Sequence, residues 1–470
     1  MNDAIAPENK FQPEHWSEAL LGDIAKGIKA GKSFRCIERP PTTGEKGIVK
    51  ISAVTWGRFQ DEESKTVTEP ERLDPSSLIQ ENDLLISRAN TIELVGASVL
   101  ATKTKKELYL SDKVLRIEIE DNLKKWVHYF LSSPTARTYI SESSTGNQLS
   151  MRNISQKALL ALKIPFPPLN EQRRIADKLD ITLADIEACK QKLNNAAETI
   201  QRFRQSVLAA AVSGELTREW REERGITTEW EIQPIENVAD ARLGKMLDKS
   251  KNTGPERKYI GNINVRWFEF DLSNLATIRV SDEEFQKLSL QPGDLLVCEG
   301  GEPGRCAVWE KETTPITYQK ALHRIRPKPN IDSHFLSFCF KNAAEDGSLQ
   351  KLFTGSTIKH LTGKSLSKFL VPVPSKQEQE LVISKTLALL EVASTIESKI
   401  LQTQSVLTRL TSAILSKAFR GELVPQDPND EPASVLLERI KAQREAEAEA
   451  KKPAKRDRKK KADTALEVKP

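Results

Sequence analysis

Apolar residues in this chain fall into two alternating patterns. Short runs bounded by turn-forming residues occupy positions 47–54, 83–87 and 114–119, and similar runs return at 258–265, 294–298 and 321–326. Runs of that length and boundary predict strands. A helical stretch follows each set, over 124–141 and 333–352. Between the sets, and again after the second, the period changes. Leu179, Ile186, Leu193, Ile200 and Val207 recur every seven residues, interleaved with Ile175, Thr182, Cys189, Ala196 and Phe203. Alternating steps of four and three predict a long helix with a coiled-coil seam. In the later stretch Val382, Leu389, Ile396 and Leu410 form one lane, and Ile400, Leu407 and Ile414 the other. Small or polar members such as Thr182, Thr386, Ala393 and Thr403 leave each seam imperfect alone.

The recurrence is an internal repeat. Ile164-Pro165-Phe166-Pro167 with Glu171-Gln172 returns as Val371-Pro372-Val373-Pro374 with Glu378-Gln379, an offset of 207 residues. The same offset relates Arg202 to Arg409, Leu208 to Leu415, and Gly214-Glu215-Leu216 to Gly421-Glu422-Leu423. Upstream the offset drifts, to 209 for Thr145-Gly146 and Thr354-Gly355, 211 for Asp83 and Asp294, and 214 for Trp16 and Trp230. The connectors have kept their length while the globular parts have diverged. Roughly 40 helical residues span about 60 Å at ~1.5 Å per residue, and two equal helices would cover each other's apolar stripe. A plain structural hairpin is the simpler explanation, although it requires no fixed length.

The predicted architecture is α+β: two mixed α/β domains separated by two long helices packed as a coiled coil, in a pseudo-two-fold internal repeat. The boundaries fall at 1–155 and 226–365 for the globular domains, and at 156–225 and 366–424 for the helical spacers. Residues 425–470 form a charged C-terminal helix, over 434–450, and a basic disordered tail. Pro425, Pro428 and Pro432 mark the break before it.

Net charge alters this picture only when divided along the chain. The total is +5, but residues 451–461 hold eight Lys/Arg against one Asp, which leaves the remainder at −2. Affinity for nucleic acid must therefore come from local patches. The tail fits a solvated extension as well as a nonspecific contact. Five scattered cysteines, Cys36, Cys189, Cys298, Cys306 and Cys339, form no CxxC pair, which points to a reduced compartment. With no apolar run long enough to span a bilayer, the expectation is a cytoplasmic protein that does not engage membranes.

Catalytic motifs fail on inspection. The segment Gly27 to Ser33 resembles a phosphate loop but has three residues between Gly27 and Gly31 where four are needed. Gly363-Lys364-Ser365 lacks the first glycine, since Ile358 stands there. His15, His128, His323, His334 and His360 show no ligand spacing. Phe166-Pro167-Pro168-Leu169 lacks the flanks of an adenine-methyltransferase motif. No active site and no metal site is expected.

Taken in order, Ile164 to Gln172, Arg202 to Leu208 with Gly214 to Thr217, and Ile414 to Leu423 give the pattern a name. The chain resembles the specificity subunit of Type I restriction-modification systems, in which two target-recognition domains alternate with two helical spacers. The likeness covers nearly everything up to about residue 445; it assigns no role to the basic tail. It implies a non-catalytic subunit that reads a bipartite, asymmetric duplex target. It also implies a scaffold for two copies of an adenine methyltransferase and for restriction (motor-nuclease) subunits. No cofactor is then expected in this chain, with S-adenosylmethionine, ATP and Mg used by the partners.

Base readout draws on Arg, Lys, Asn, Gln, Ser and Thr on exposed loops. In the first domain the candidates are Trp56, Arg58, Arg88, Asn90, Thr91, Lys113, Gly146, Asn147, Gln148 and Arg152. In the second they are Asn264, Arg266, Arg305, Lys320, Ser356, Thr357, Lys359 and His360. For each, an ordinary solvated side chain is the competing explanation, and a structural turn also accounts for the two Thr-Gly loops. Two other functions compete with the resemblance: a stand-alone two-domain DNA-binding or scaffold protein without methyltransferase partners, and a nucleotide-binding enzyme using Gly31-Lys32-Ser33.

Overall fold

The central strand of each globular part explains why its sequence is apolar throughout. In the computed structural model, which describes residues 13–148, 151–248, 250, 252–311 and 316–446, strand Leu84–Ser87 is buried along its whole length. Successive side chains of a strand point to opposite faces. Leu84 and Ile86 therefore join a core with Trp126, Phe130 and Ile140, while Leu85 joins a second core with Val49, Val54 and Leu110. Strand Asp294–Cys298 does the same: Leu295 and Val297 pack with Phe335 and Phe340, and Leu296 and Cys298 with Trp309 and Tyr318.

The chain divides into two units, residues 1–190 with 404–470, and residues 191–403. Among the described residues of the first, a four-stranded sheet runs in the order Gly27–Ala30, Val114–Glu118, Leu84–Ser87, Ser98–Leu100, all antiparallel. A second sheet orders Cys36–Ile37, Ser64–Val67, Lys46–Val49 and Glu107–Tyr109, its last pair parallel. The second unit repeats the first sheet as Ala239–Leu243, Leu322–Pro327, Asp294–Cys298 and Cys306–Trp309. Beside it lies a three-stranded sheet of Thr277–Arg279, Glu256–Ile260 and Thr317–Tyr318. In each unit the N-terminal strand pairs with the proline-containing strand before a long helix: Ser17–Leu20 with Lys163–Phe166, and Glu231–Pro234 with Leu370–Val373.

Local departures from the predicted elements have local causes. The run 47–54 is a strand, Lys46–Val49, followed by one 3-10 turn, Ile51–Val54, and 258–265 breaks the same way into Glu256–Ile260 and Asn262–Asn264. The helix expected over 124–141 is two helices, Asp121–Leu131 and Pro134–Ser143. Ser133 caps the second by accepting from the Ala136 amide, with Pro134 at the first helical position. Helix Ser333–Glu345 likewise ends before a separate turn, Ser348–Leu352, at Gly347 with φ +78°. The loop-like Gly27 segment is strand Gly27–Ala30, paired to Val114–Glu118, so its amides form a ladder instead of a phosphate cradle.

The two spacers are helices of 45 and 43 residues, Leu169–Ser213 and Lys376–Ala418. The recurring Glu-Gln pair has a structural task at each start. Gln172 donates through Nε2 to the Pro167 carbonyl, and Gln379 to that of Pro374, both at 2.8 Å. Within the first unit Ile175 and Leu179 share the core with Leu415, Ala418 and Phe419, and the Phe419 ring lies 4.6 Å from Trp126. Within the second, Ala211 shares a core with Val382, and Arg204 pairs with Glu397 at 2.9 Å. In each unit the early part of one helix thus meets the late part of the other, an antiparallel arrangement.

The inward stripe keeps a seven-residue repeat from Leu179 onward, but its second lane is shifted by one residue from the expected one. In the first helix Ile175, Leu179, Leu183, Ile186, Lys190, Leu193, Ala197, Ile200, Arg204, Val207 and Ala211 are buried or half-buried. From Leu179 the steps alternate four and three, with Leu183, Lys190, Ala197, Arg204 and Ala211 as the second lane in place of the one through Cys189 and Phe203. Cys189 and Phe203 rotate out to solvent. In the second helix Val382, Thr386, Leu389, Ala393, Ile400, Leu407 and Ile414 keep to the inner side, and Ile396 and Leu410 are exposed. The expected lanes through Cys189 and Phe203, and through Ile396 and Leu410, are corrected accordingly.

A helix over residues 433–446 docks on the first unit, with Ala433, Leu436 and Leu437 in its core and Arg444 donating to the Gly22 and Asp23 carbonyls at 2.6 Å. The basic segment 451–461 lies outside the described residues. Among the described residues no helix is long and apolar enough to cross a membrane, and no group of three or more His, Cys, Asp or Glu could hold a metal ion.

Candidate nucleic-acid interface

Where the central strand of the first unit ends, Arg88 emerges exposed from a buried run. Its backbone is fixed on both sides: its amide donates to the Lys113 carbonyl at 2.8 Å, and its carbonyl accepts from the Ile154 amide at 2.9 Å. The chain continues as strand Ala89–Asn90, which pairs with Met151–Asn153 so that Asn90 lies opposite Arg152. Asn90 donates through Nδ2 to Thr55 Oγ1 at 3.2 Å, tying this strand to the turn that carries Trp56 and Arg58. Hydrogen bonds therefore bring together four predicted segments: the turn at 55–58, the strand exit at 88–91, Lys113, and the hairpin 145–153.

The predicted residues separate by what their polar groups do. Trp56, 62% exposed, and Arg58, Arg88 and Lys113 project to solvent. Arg152 does not. Its Nε and Nη2 bond Ser144 and its Nη1 bonds the Gly146 carbonyl, at 2.5–3.1 Å, so its guanidinium closes the hairpin. Thr91 is a turn residue whose carbonyl accepts from Leu94 and Val95; the backbone amide of Glu93, and after it the Thr91 hydroxyl, hold the Glu93 carboxyl below the usual range. Gly146 has φ +151°, and a Cβ there would stand 2.3 Å from the Met151 carbonyl oxygen. Asn147 and Gln148 belong to strand Thr145–Gln148, but their side chains lie outside the described residues.

A cleft of about 530 Å³ beside Lys113 is lined by Lys50, Lys65, Ser33, Ser52 and Ser111. Lys65 is paired with Glu38 at 2.5 Å, which lowers the Glu38 carboxyl pKa. Lys50 and Lys65 were not among the residues predicted. Lys50 falls in the run 47–54, which reads as a strand, and Lys65 lies in strand Ser64–Val67, with no signal in the sequence that either borders a cleft.

In the second unit the same scaffold carries other side chains. Asn264 is buried; its Oδ1 accepts from the Gly261 amide and its Nδ2 donates to the Asp271 and Asn274 carbonyls, so it builds the turn and is not available to a ligand. Arg305 bonds Glu302 and the Asn262 carbonyl, both at 2.9 Å, and closes its own loop. Arg266 is exposed, with one nitrogen on the Ile263 carbonyl at 2.6 Å. Lys320 is exposed beyond its amide bond to Lys245. Thr354 and His360 pair through their backbones, and Ser356, Thr357, Lys359 and His360 are all exposed on the turn between and at its end. Gly355, φ +91°, faces the Ile358 carbonyl, which a Cβ would approach to 2.2 Å. Both Thr-Gly loops thus need glycine for the turn itself.

Three positions were missed although the offset of 211 would have found them. Trp267 stands where Trp56 does: Gln60 donates to the Ala53 carbonyl at 3.0 Å, as Asp271 does to that of Asn264 at 2.8 Å. Its neighbour Phe268 takes φ +68° where Gly57 takes +75°, a strained conformation for a bulky residue. The Trp267 indole donates to Glu302 at 2.8 Å with Lys341 over its ring, whereas Trp56 is open to solvent. The third position, Glu299, matches Arg88.

Comparisons with known proteins agree with the repeat. A family model described as the Type I restriction modification DNA specificity domain matches twice, over residues 13–199 and 227–403. The chain is 29% identical over 335 residues to the Type I restriction enzyme EcoKI specificity subunit of Escherichia coli (strain K12), covering 68% of this chain and 72% of that one. It is 30% identical over 337 residues to the StySPI specificity subunit of Salmonella potsdam, covering 68% and 71%. Its fold is similar to a chain solved in work on complex assembly and conformational transition of the type I R-M system, with TM-score 0.66 at 18% identity over 88% of this chain and 99% of that one. It is also similar to the HsdS subunit from Thermoanaerobacter tengcongensis, with TM-score 0.51 at 17% identity over 88% and 98%. With the specificity domain present twice and spanning more than half of its length, the chain belongs to the family of Type I restriction-modification DNA specificity subunits, which are not themselves catalysts.

Proposed function

We propose that this specificity subunit reads a bipartite, asymmetric duplex target through residues 1–155 and 226–365 as target-recognition domains. The spacers 156–225 and 366–424 set the unread gap between the half-sites, and residues 425–470 are an appendage whose helical part buttresses the first domain. The observation that carries this reading is one scaffold built twice with different side chains at matching places, exposed Trp56 and Arg88 in one and half-buried Trp267 and Glu299 in the other. Equal scaffolds favour two similar docking geometries, and unequal side chains favour two different half-sites. The exposed residues Trp56, Arg58, Arg88 and Lys113, and Arg266, Lys320, Ser356, Thr357, Lys359 and His360, are the contacts assigned to DNA.

The same reading makes the chain a scaffold for two copies of an adenine methyltransferase and for restriction (motor-nuclease) subunits, in the cytoplasm. S-adenosylmethionine, ATP and Mg belong to those partners. Co-expression with the methyltransferase tests the assembly: the native mass should correspond to one copy of this chain with two of the partner. A chain that stays alone and still binds a specific duplex tightly would support the stand-alone DNA-binding alternative.

A further inference from the structure

Arg88 and Glu299 occupy the same place in the two domains. Each follows the buried central strand, after Ser87 and Cys298 respectively. The Glu299 amide donates to the Ala321 carbonyl at 2.9 Å, and its carbonyl accepts from Leu361 at 2.8 Å, matching the bonds of Arg88 to Lys113 and Ile154. At the other end of each strand Asp83 and Asp294 accept from the amides of Gln80 and Gln291 and from Arg116 and Arg326. Two scaffolds that agree bond for bond therefore present side chains of opposite charge. The neighbouring turn repeats the inversion, since Arg58 corresponds to Glu269, both exposed.

No hydrogen bond or ion pair among the described residues accounts for the carboxylate, whose charge acts at a distance on the buried His323. Among the described residues Glu299 is half-buried and takes part in no side-chain hydrogen bond or ion pair, whereas Glu302, three residues on, pairs with Arg305 and Trp267. Gly300 and Gly301 follow it directly, packed under the His360 ring and the Asn262 side chain, which a Cβ would meet at 3.1 and 3.3 Å. On a DNA-facing surface a carboxylate is repelled by phosphates, so it suits a contact only with a base-edge donor. In the major groove Arg donates to guanine O6 and N7, while Glu accepts from the cytosine N4 amine and is disfavoured by the guanine acceptors.

We propose that Glu299 reads a cytosine amine in the second half-site, at the place where Arg88 reads guanine acceptors in the first. The two half-sites then differ at corresponding base pairs by exchange of G for C on the strand contacted. This assignment rests on the reading of the chain as a specificity subunit with two half-sites.

The test uses the co-expressed complex of this chain with its methyltransferase, as wild type and as E299Q and E299A, methylating a plasmid library with randomised half-sites. Wild type should require a C·G pair at one position of the second half-site. Both variants should lose that preference by about tenfold to a hundredfold, with the first half-site unchanged and melting unaltered, because the scaffold bonds at Glu299 are backbone bonds. A second half-site without a C·G pair, an unchanged preference in E299Q, or a loss spread evenly over all positions overturns the assignment alone. A wild-type complex that methylates no bipartite motif overturns the function, and the assignment with it.

Discussion

Trp230 donates its indole N–H to the buried carboxylate of Glu378 at 2.9 Å, and Trp16 bonds Glu171 at the same distance in the first unit. The pairs differ at the other carboxylate oxygen. Glu378 Oε1 accepts from Arg221 and Thr217, at 2.6 and 2.7 Å. Glu171 Oε1 is buried with no partner among the described residues. Both glutamates follow the proline strand and fasten the N-terminal strand region to the start of a long helix, but only one is electrically balanced.

Glu378→Gln should therefore destabilise the second unit by about 2–4 kcal/mol, because Arg221 loses its buried partner. Glu171→Gln should stay within about 1 kcal/mol of wild type at neutral pH, since it removes a buried charge that lacks a matching cation. Burial raises the Glu171 carboxyl pKa above its usual range. A raised carboxyl contributes stability that is lost as pH rises, so the stability of wild type relative to Glu171→Gln should grow as pH falls from 7. Denaturant unfolding at several pH values measures both, and equal losses in the two variants would contradict the asymmetry.

His128 gives the opposite pH sign. Its Nδ1 lies 3.1 Å from Ser98 Oγ, and burial pushes its pKa down from 6.5 to about 4. The unfolded chain then binds the proton more tightly, so stability of the first unit is lost as pH falls from about 6.5 toward 4. Proton NMR of the ring should follow this titration, and His128→Leu should flatten that part of the stability curve. An ordinary titration near 6.5 would contradict the burial.

Arg88 and Asn264 should part company on mutation. Arg88→Ala leaves the strand exit bonded and should weaken the first half-site by about 1–3 kcal/mol without changing the second. Asn264→Ala leaves the Gly261 amide and two carbonyls without partners and should cost the second unit about 1–3 kcal/mol in stability. Methylation motifs for one and thermal melts for the other separate the two roles. A uniform loss across both half-sites in Arg88→Ala would remove it from base reading.

Removing seven residues from both long helices shortens each by about 10 Å, yet keeps the inward stripe nearly in phase, about 20° short of two turns. The complex should assemble with a shorter unread gap. Removal from one helix alone should expose apolar stripe residues and lower the yield of complex. An unchanged gap in the double deletion would end the role of the helices as spacers.

The scaffold was legible because it is written in apolar runs. Leu84-Leu85-Ile86 and Leu295-Leu296-Val297 announce buried strands, and an offset of 207 announces matched helices. The helix face was less legible, since Phe203, Ile396 and Leu410 are apolar and yet outside the inward stripe, while Arg204 and Lys190 lie within it. Residue type also says nothing about where a polar group finds its partner. Arg152 and Arg305 close their own loops and Asn264 builds a turn, while Arg58 and Arg88 remain exposed. Docking of the helix over 433–446 rests on few apolar residues, among them Leu436 and Leu437, in a charged segment, too few to set a period.

The central claim is that two different domains read two different half-sites at one fixed separation. Its most direct test is to co-express the chain with its neighbouring methyltransferase in a host lacking adenine methylation and to map N6-methyladenine by single-molecule sequencing. A two-part asymmetric motif with a constant gap is the expected result. A continuous or palindromic motif, or an intact complex that leaves the genome unmethylated, would contradict it.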